Sequence, residues 1–277
     1  MNAQVTSIEK SIDCQNYQFN YLVTGNPQLL PVLFLHGFMG DCHAFDPVIA
    51  SLSQESHCLA IDLPGHGKTR VHGSDELYQM ASVAQGIMDC LDVLNVQRCH
   101  LIGYSMGGRL ALYLTLHFPQ YFHKVILESA SPGLKTQAER EQRIASDRQL
   151  ADQLETTDFL SFLTEWYDRP LFASTKQHPD FARMLKQRSQ HNPQKLAKSL
   201  RNLSSGLQPS LWEKLPENSV PLLLLAGEFD QKFVDINAEI AGRCPLTQLE
   251  IIANCGHNIH FERSDVFLGR TRNFLDV

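Results

Sequence analysis

The sequence predicts an α/β fold: a mostly parallel sheet flanked by helices, with a helical cap inserted into it. Three observations predict it. Short apolar runs of strand length end repeatedly in glycine-rich turns. Helical patterns follow those turns. One long stretch, residues 130–219, shows helical patterns and no convincing strand.

The first run is VLFL (32–35), ending in His36-Gly37. The second is CLAI (58–61), ending in Asp62-Leu63-Pro64-Gly65, and the third is HLI (100–102), ending in Gly103. VIL (125–127) is the fourth. Each is apolar on both faces, as a strand buried in a parallel sheet must be. From Leu77, apolar residues fall at Met80, Ala84, Ile87, Leu91 and Leu94, keeping one helical face apolar. Such alternation implies right-handed crossovers and a doubly wound sheet. The rhythm breaks after Ser129. It resumes with PLLLLAG (221–227), then QLEII (248–252) and a closing helix over 264–277. The expected division is therefore a core of residues 1–129 and 220–277 and a cap of residues 130–219. The cap is not a linker, because Phe159, Phe162, Trp166, Tyr167 and Phe172 need packed surroundings. It holds 13 of the 24 Lys and Arg against 11 acidic residues, a balance of +2 that leaves −8 on the remainder.

Composition bounds the function. Of 277 residues, 43% are hydrophobic and 19% charged, which excludes a disordered chain. A net charge of −6 argues against a nucleic-acid partner, which calls for a basic face. Seven cysteines with no C-x-x-C pair suit buried thiols in a reducing compartment. The opening MNAQVTSIEK lacks a basic start followed by an apolar stretch, so no secretory signal is expected. The longest apolar runs are too short to span a bilayer. These features make a cytoplasmic protein without membrane partners the expectation.

The chemistry centres on Gly103-Tyr104-Ser105-Met106-Gly107, a G-x-S-x-G motif. It follows a strand and opens a helix through Leu110, Ala111 and Leu114. That context suits a nucleophile on a sharp strand-to-helix turn, as in the α/β-hydrolase fold. A serine hydroxyl needs a histidine to take its proton and an acid to orient the histidine. Chain order in this fold is Ser, then Asp or Glu, then His. Asp230 lies just past the strand ending at Gly227, and His257 just past the last strand. Glu228, Asp235 and His260 are rivals; Glu228 suits local pairing and His260 a supporting hydrogen bond. Backbone N–H groups of Met106 and Phe38 are the expected oxyanion donors, though Phe38 could also be a pocket wall. His36 and His66 read as structural. Gly67-Lys68-Thr69 ends like a phosphate-binding loop, but Asp62 stands where that motif needs glycine. No G-x-G-x-x-G is present, and Cys255, His257 and His260 lack metal-ligand spacing. No cofactor or metal is expected.

Nearly the whole chain resembles the 2-succinyl-6-hydroxy-2,4-cyclohexadiene-1-carboxylate synthase family of menaquinone and phylloquinone biosynthesis. The resemblance rests on LHGFMGDCH (35–43), DLPGHG (62–67), GYSMGGR (103–109), SPGL (131–134), SDRQ (146–149), WYDRPLFAS (166–174), GEFDQKF (227–233) and GHNIHFE (256–262). Residues 1–30 and 68–100 carry little of it. It implies an elimination rather than a hydrolysis: a ring proton is removed and pyruvate leaves. Ser105, activated by His257, would then act as a base, with Asp230 behind the histidine. The small-molecule substrate would be a tricarboxylate, and carboxylates call for arginine forks. Arg109 lies one helical turn past Ser105, and the cap supplies Arg140, Arg143, Arg148 and Arg188. By motif position the substrate arginines are Arg109, Arg143 and Arg188, with Tyr104 and Trp166 lining the pocket. Two rival readings remain open. An esterase or C–C bond hydrolase would form an acyl-serine, whereas a ligand receptor would not be labelled by a serine-directed phosphonate.

Overall fold

A computed structural model describes residues 7–277. Nine strands form one sheet: β1 (Ile8–Cys14), β2 (Tyr17–Thr24), β3 (Pro31–Leu35), β4 (His57–Ile61), β5 (Arg70–Val71), β6 (Cys99–Tyr104), β7 (Phe122–Glu128), β8 (Leu222–Gly227) and β9 (Thr247–Ile252). Their order is β1-β2-β4-β3-β6-β7-β8-β9, with β5 paired to β2. From β4 to β9 every pairing is parallel, while β2 pairs antiparallel with β1, β4 and β5. All six apolar runs read from the sequence are strands.

The helices are α1 (Asp46–Leu52), α2 (Met80–Val93), α3 (Met106–His117), α4 (Gln137–Thr156), α5 (Phe159–Tyr167), α6 (Ala173–Gln177), α7 (Phe181–Arg188), α8 (Pro193–Asn202), α9 (Gln231–Arg243), α10 (Ile259–Glu262) and α11 (Ser264–Leu275). Side chains alternate across a strand, so each strand feeds two cores. Leu33, Leu35, Leu101, Leu127 and Leu224 pack with Val83, Ile87, Leu110 and Leu114 of α2 and α3. Phe34, Ile102, Ile126 and Leu223 pack on the other face with Phe45, Ile49 and Phe267, next to and within α1 and α11. Double-sided burial is why these strands read as continuous apolar runs.

The N-terminal hairpin carries no such signal. β1 lies at the sheet edge with Ile8, Glu9, Lys10 and Ser11 exposed, so its pairing rests on backbone hydrogen bonds. The apolar stripe from Leu77 is helical, but α2 starts only at Met80. A 3₁₀ turn over Asp75–Tyr78 comes first, and Gln79 is extended (ψ 152°). The closing helix stops at Leu275, because Asp276 adopts a left-handed conformation.

Between β7 and β8 no strand forms among the described residues. Local sequence explains the helices there. Thr136 and Glu139 build a reciprocal capping box at the start of α4. Asp158 caps α5, and Asn192 caps α8 with Pro193 in its first turn. These helices enclose their own core of Leu154, Phe162, Leu163, Tyr167, Phe172 and Leu196, joined by Met39 from the loop after β3.

Candidate active site

Ser105 sits between the last residue of β6 and the first of α3, with φ +50° and ψ −106°. That conformation lies outside the regions a side-chain-bearing residue prefers. The turn is held by Ser105 N–H donating to the Glu128 carbonyl (2.9 Å) and Arg109 N–H donating to the Ser105 carbonyl (2.9 Å). Two glycines let it form. A Cβ on Gly107 would lie 2.2 Å from the Leu35 carbonyl oxygen, and one on Gly103 would lie 2.6 Å from that of Gly107. β3, β6 and α3 therefore approach to backbone contact.

The loops after β8 and β9 bring Asp230 and His257 to the same edge. His257 Nε2 is 2.9 Å from Ser105 Oγ, and His257 Nδ1 is 2.6 Å from Asp230 Oδ2. Asp230 and His257 are both buried. Around the imidazole pack Phe233 (4.7 Å between ring centres), Tyr104 (5.4 Å) and Phe172 (6.1 Å). The rivals are engaged elsewhere. Glu228 accepts from Asn254 N–H (2.9 Å), Asp235 from Gln231, and His260 Nδ1 meets Glu128 at 2.7 Å. His36 Nε2 accepts from Leu63 N–H, fastening the loop after β3 to the loop after β4.

A cavity of about 420 Å³ opens onto Ser105. Phe38, Tyr104, Met106 and Trp166 line it, and so do Arg109, Arg143 and Arg188. Met106 is the first residue of α3, whose N-terminal N–H groups have no partner within the helix. Arg109 donates to Gln208 Oε1 (2.8 Å) and the Leu203 carbonyl (3.0 Å). Burial, then the nearby Arg143 charge, brings its pKa down to about 10, so it remains a cation at neutral pH. Arg188 donates to the Met39 carbonyl. Arg143 Nε lies 2.9 Å from the buried Asp147 carboxylate, which also accepts from Ser204 Oγ. Arg140 and Arg148 do not line the cavity; Arg140 bonds Gln137 on the surface.

Sequence reasoning passed over three neighbours of the site. Glu128, fully buried at the end of β7, anchors His260 through both the ring and the backbone N–H. Ser129 Oγ donates to the His257 carbonyl (2.9 Å). Arg169 lines the cavity and stacks on Trp166. Glu128 was detectable as an acid ending an apolar strand run, and Arg169 as a basic residue within WYDRPLFAS; Ser129 left no signal.

Comparison with known proteins agrees with this architecture. The α/β hydrolase fold family model matches residues 31–264. A 2-succinyl-6-hydroxy-2,4-cyclohexadiene-1-carboxylate synthase of Escherichia coli O1:K1 / APEC is 33% identical over 86% of this chain and 90% of its own. A Bacillus subtilis (strain 168) protein named as a candidate for the same synthase is 36% identical over 88% of this chain and 89% of its own. The solved structure of MenH from S. aureus superposes with a TM-score of 0.87 at 35% identity, covering 95% of this chain and 98% of that one. Fold, site geometry and relatives together place the chain in the 2-succinyl-6-hydroxy-2,4-cyclohexadiene-1-carboxylate synthase family of α/β-hydrolase-fold enzymes.

Proposed function

We propose that Ser105, His257 and Asp230 remove a ring proton from 2-succinyl-5-enolpyruvyl-6-hydroxy-3-cyclohexene-1-carboxylate and expel pyruvate. The observation that carries this reading is a serine–histidine–aspartate relay opening into a cavity lined by arginines. His257 Nε2 takes the Ser105 proton, and Ser105 Oγ takes the ring proton beside the succinyl ketone. Asp230 holds His257 in the tautomer with Nδ1–H and stabilises the imidazolium. The freed electron pair forms one new ring double bond and shifts the existing one. The ring C–O bond then breaks, the enolpyruvyl group leaves, and it becomes pyruvate on protonation. Negative charge building on the ketone oxygen is met by the N–H groups of Phe38 and Met106. The N-terminus of α3 adds positive potential there. Arg109, Arg143 and Arg188 hold the carboxylates, and Tyr104 and Trp166 form the walls around the ring.

In this reading residues 130–219 are a cap on a core made of residues 1–129 and 220–277. No helix of the described residues is long and apolar enough to cross a membrane. The seven cysteines are free and buried, which suits a reducing cytoplasm.

The test is a coupled assay for pyruvate with freshly generated substrate and Ser105→Ala as control. Serine-dependent pyruvate release with a new diene absorbance is the expected result. Release no faster than the spontaneous background, together with an acyl-serine formed from activated esters, would overturn the elimination and indicate a hydrolase.

A further inference from the structure

Resting on that reading, we propose that Arg169 is a further specificity-determining residue, binding a substrate carboxylate from the face of Trp166. Four arginines line the cavity, and their partners differ. Arg109 and Arg188 donate only to neutral oxygens. Arg143 is the exception, because its charge already faces the Asp147 carboxylate at 2.9 Å. Arg169 makes no ion pair and no side-chain hydrogen bond among the described residues. Its guanidinium lies 4.2 Å from the centre of the Trp166 ring.

That cation–π contact holds the guanidinium over the ring while its N–H groups keep no acceptor among the described residues, and a carboxylate can meet such a group with two parallel hydrogen bonds. Trp166 in turn lies 5.3 Å from Phe38 between ring centres, so the stacked pair stands beside the reacting serine's pocket rather than on the outer surface. The half-buried Arg169 also feels Arg143 as a like charge, with burial the larger influence lowering its pKa. An entering anion offsets both influences by favouring the charged guanidinium. Arg169 thus adds a fourth guanidinium to those of Arg109, Arg143 and Arg188, and unlike Arg143 it has no carboxylate of its own. Arg143 contributes as half of an ion pair.

The test compares wild type, Arg169→Gln and Arg169→Lys in the pyruvate assay over a series of salt concentrations. Arg169→Gln is expected to lower kcat/KM at least tenfold, mostly through KM, and to flatten the dependence of KM on salt. Arg169→Lys should recover part of both. A role confined to packing on Trp166 would leave the salt dependence unchanged. An Arg169→Gln enzyme with KM and salt dependence within twofold of an active wild type overturns the proposal while leaving the elimination intact. A wild type that releases no pyruvate removes the elimination itself.

Discussion

Replacing Ser105 by glycine rather than alanine separates backbone strain from chemistry. Both variants lose the hydroxyl and its contact with His257, so neither should release pyruvate faster than the spontaneous background. They differ in what φ +50° and ψ −106° cost them. Alanine keeps that strain, of order 2–3 kcal/mol at the upper end of the usual range for such outliers. Glycine relieves it. Against this, glycine loses about 0.4–1 kcal/mol through the entropy of the unfolded chain. It also forfeits up to about 0.8 kcal/mol from the missing methyl group, less here because Ser105 is only partly buried. Roughly 1 kcal/mol remains in favour of glycine, or a Tm about 2–4 °C higher in a protein near this size. Calorimetry and urea unfolding of the two variants measure the difference directly. A Ser105→Gly protein less stable than Ser105→Ala would show that the turn is not strained as its dihedrals imply.

Arg109→Met should lower kcat/KM about 10- to 150-fold, the effect of losing a charged hydrogen bond worth about 1.5–3 kcal/mol. A change within twofold would remove Arg109 from substrate binding. Acid should destabilise the fold well before the carboxylates titrate. Burial holds His36 at about 3 and His191 at about 4, below their ordinary 6.5. The unfolded chain therefore takes up these protons first as pH falls through about 6.5, and stability present above that value is lost on the way down. Each histidine contributes a loss of about 2 kcal/mol between pH 7 and pH 5. His191→Asn should remove one such share from urea unfolding at the two pH values; an unchanged loss would refute the assignment.

The inner parallel strands were legible because burial on both faces writes an uninterrupted apolar run into the sequence; β9, half-exposed at the other edge, left the shorter pattern QLEII. The edge hairpin was not, since β1 exposes most of its side chains and pairs through its backbone. The spatial meeting of Ser105, Asp230 and His257 followed from loop positions, because parallel strands deliver every following loop to one edge. Side chains whose partners are distant in sequence stayed hidden. The Arg143–Asp147 pair is four residues apart and could have been anticipated from helix geometry. Arg169 and Ser129 acquire their meaning only from what the fold sets against them.

Ser105, Asp230 and His257 all follow strands of the sheet, whereas Arg143, Arg169 and Arg188 all come from the segment between β7 and β8. Only Arg109 joins the two sets, placed by the same helix that starts after the serine. In the proposed mechanism, proton transfer and carboxylate binding draw on largely different stretches of chain. The two stretches still touch: Phe172 packs on His257, Arg109 donates to Gln208 and the Leu203 carbonyl, and Arg188 donates to the Met39 carbonyl, so a substitution in one is felt in the other. A lineage that exchanged residues 130–219 would have to rebuild those braces along with the three arginines.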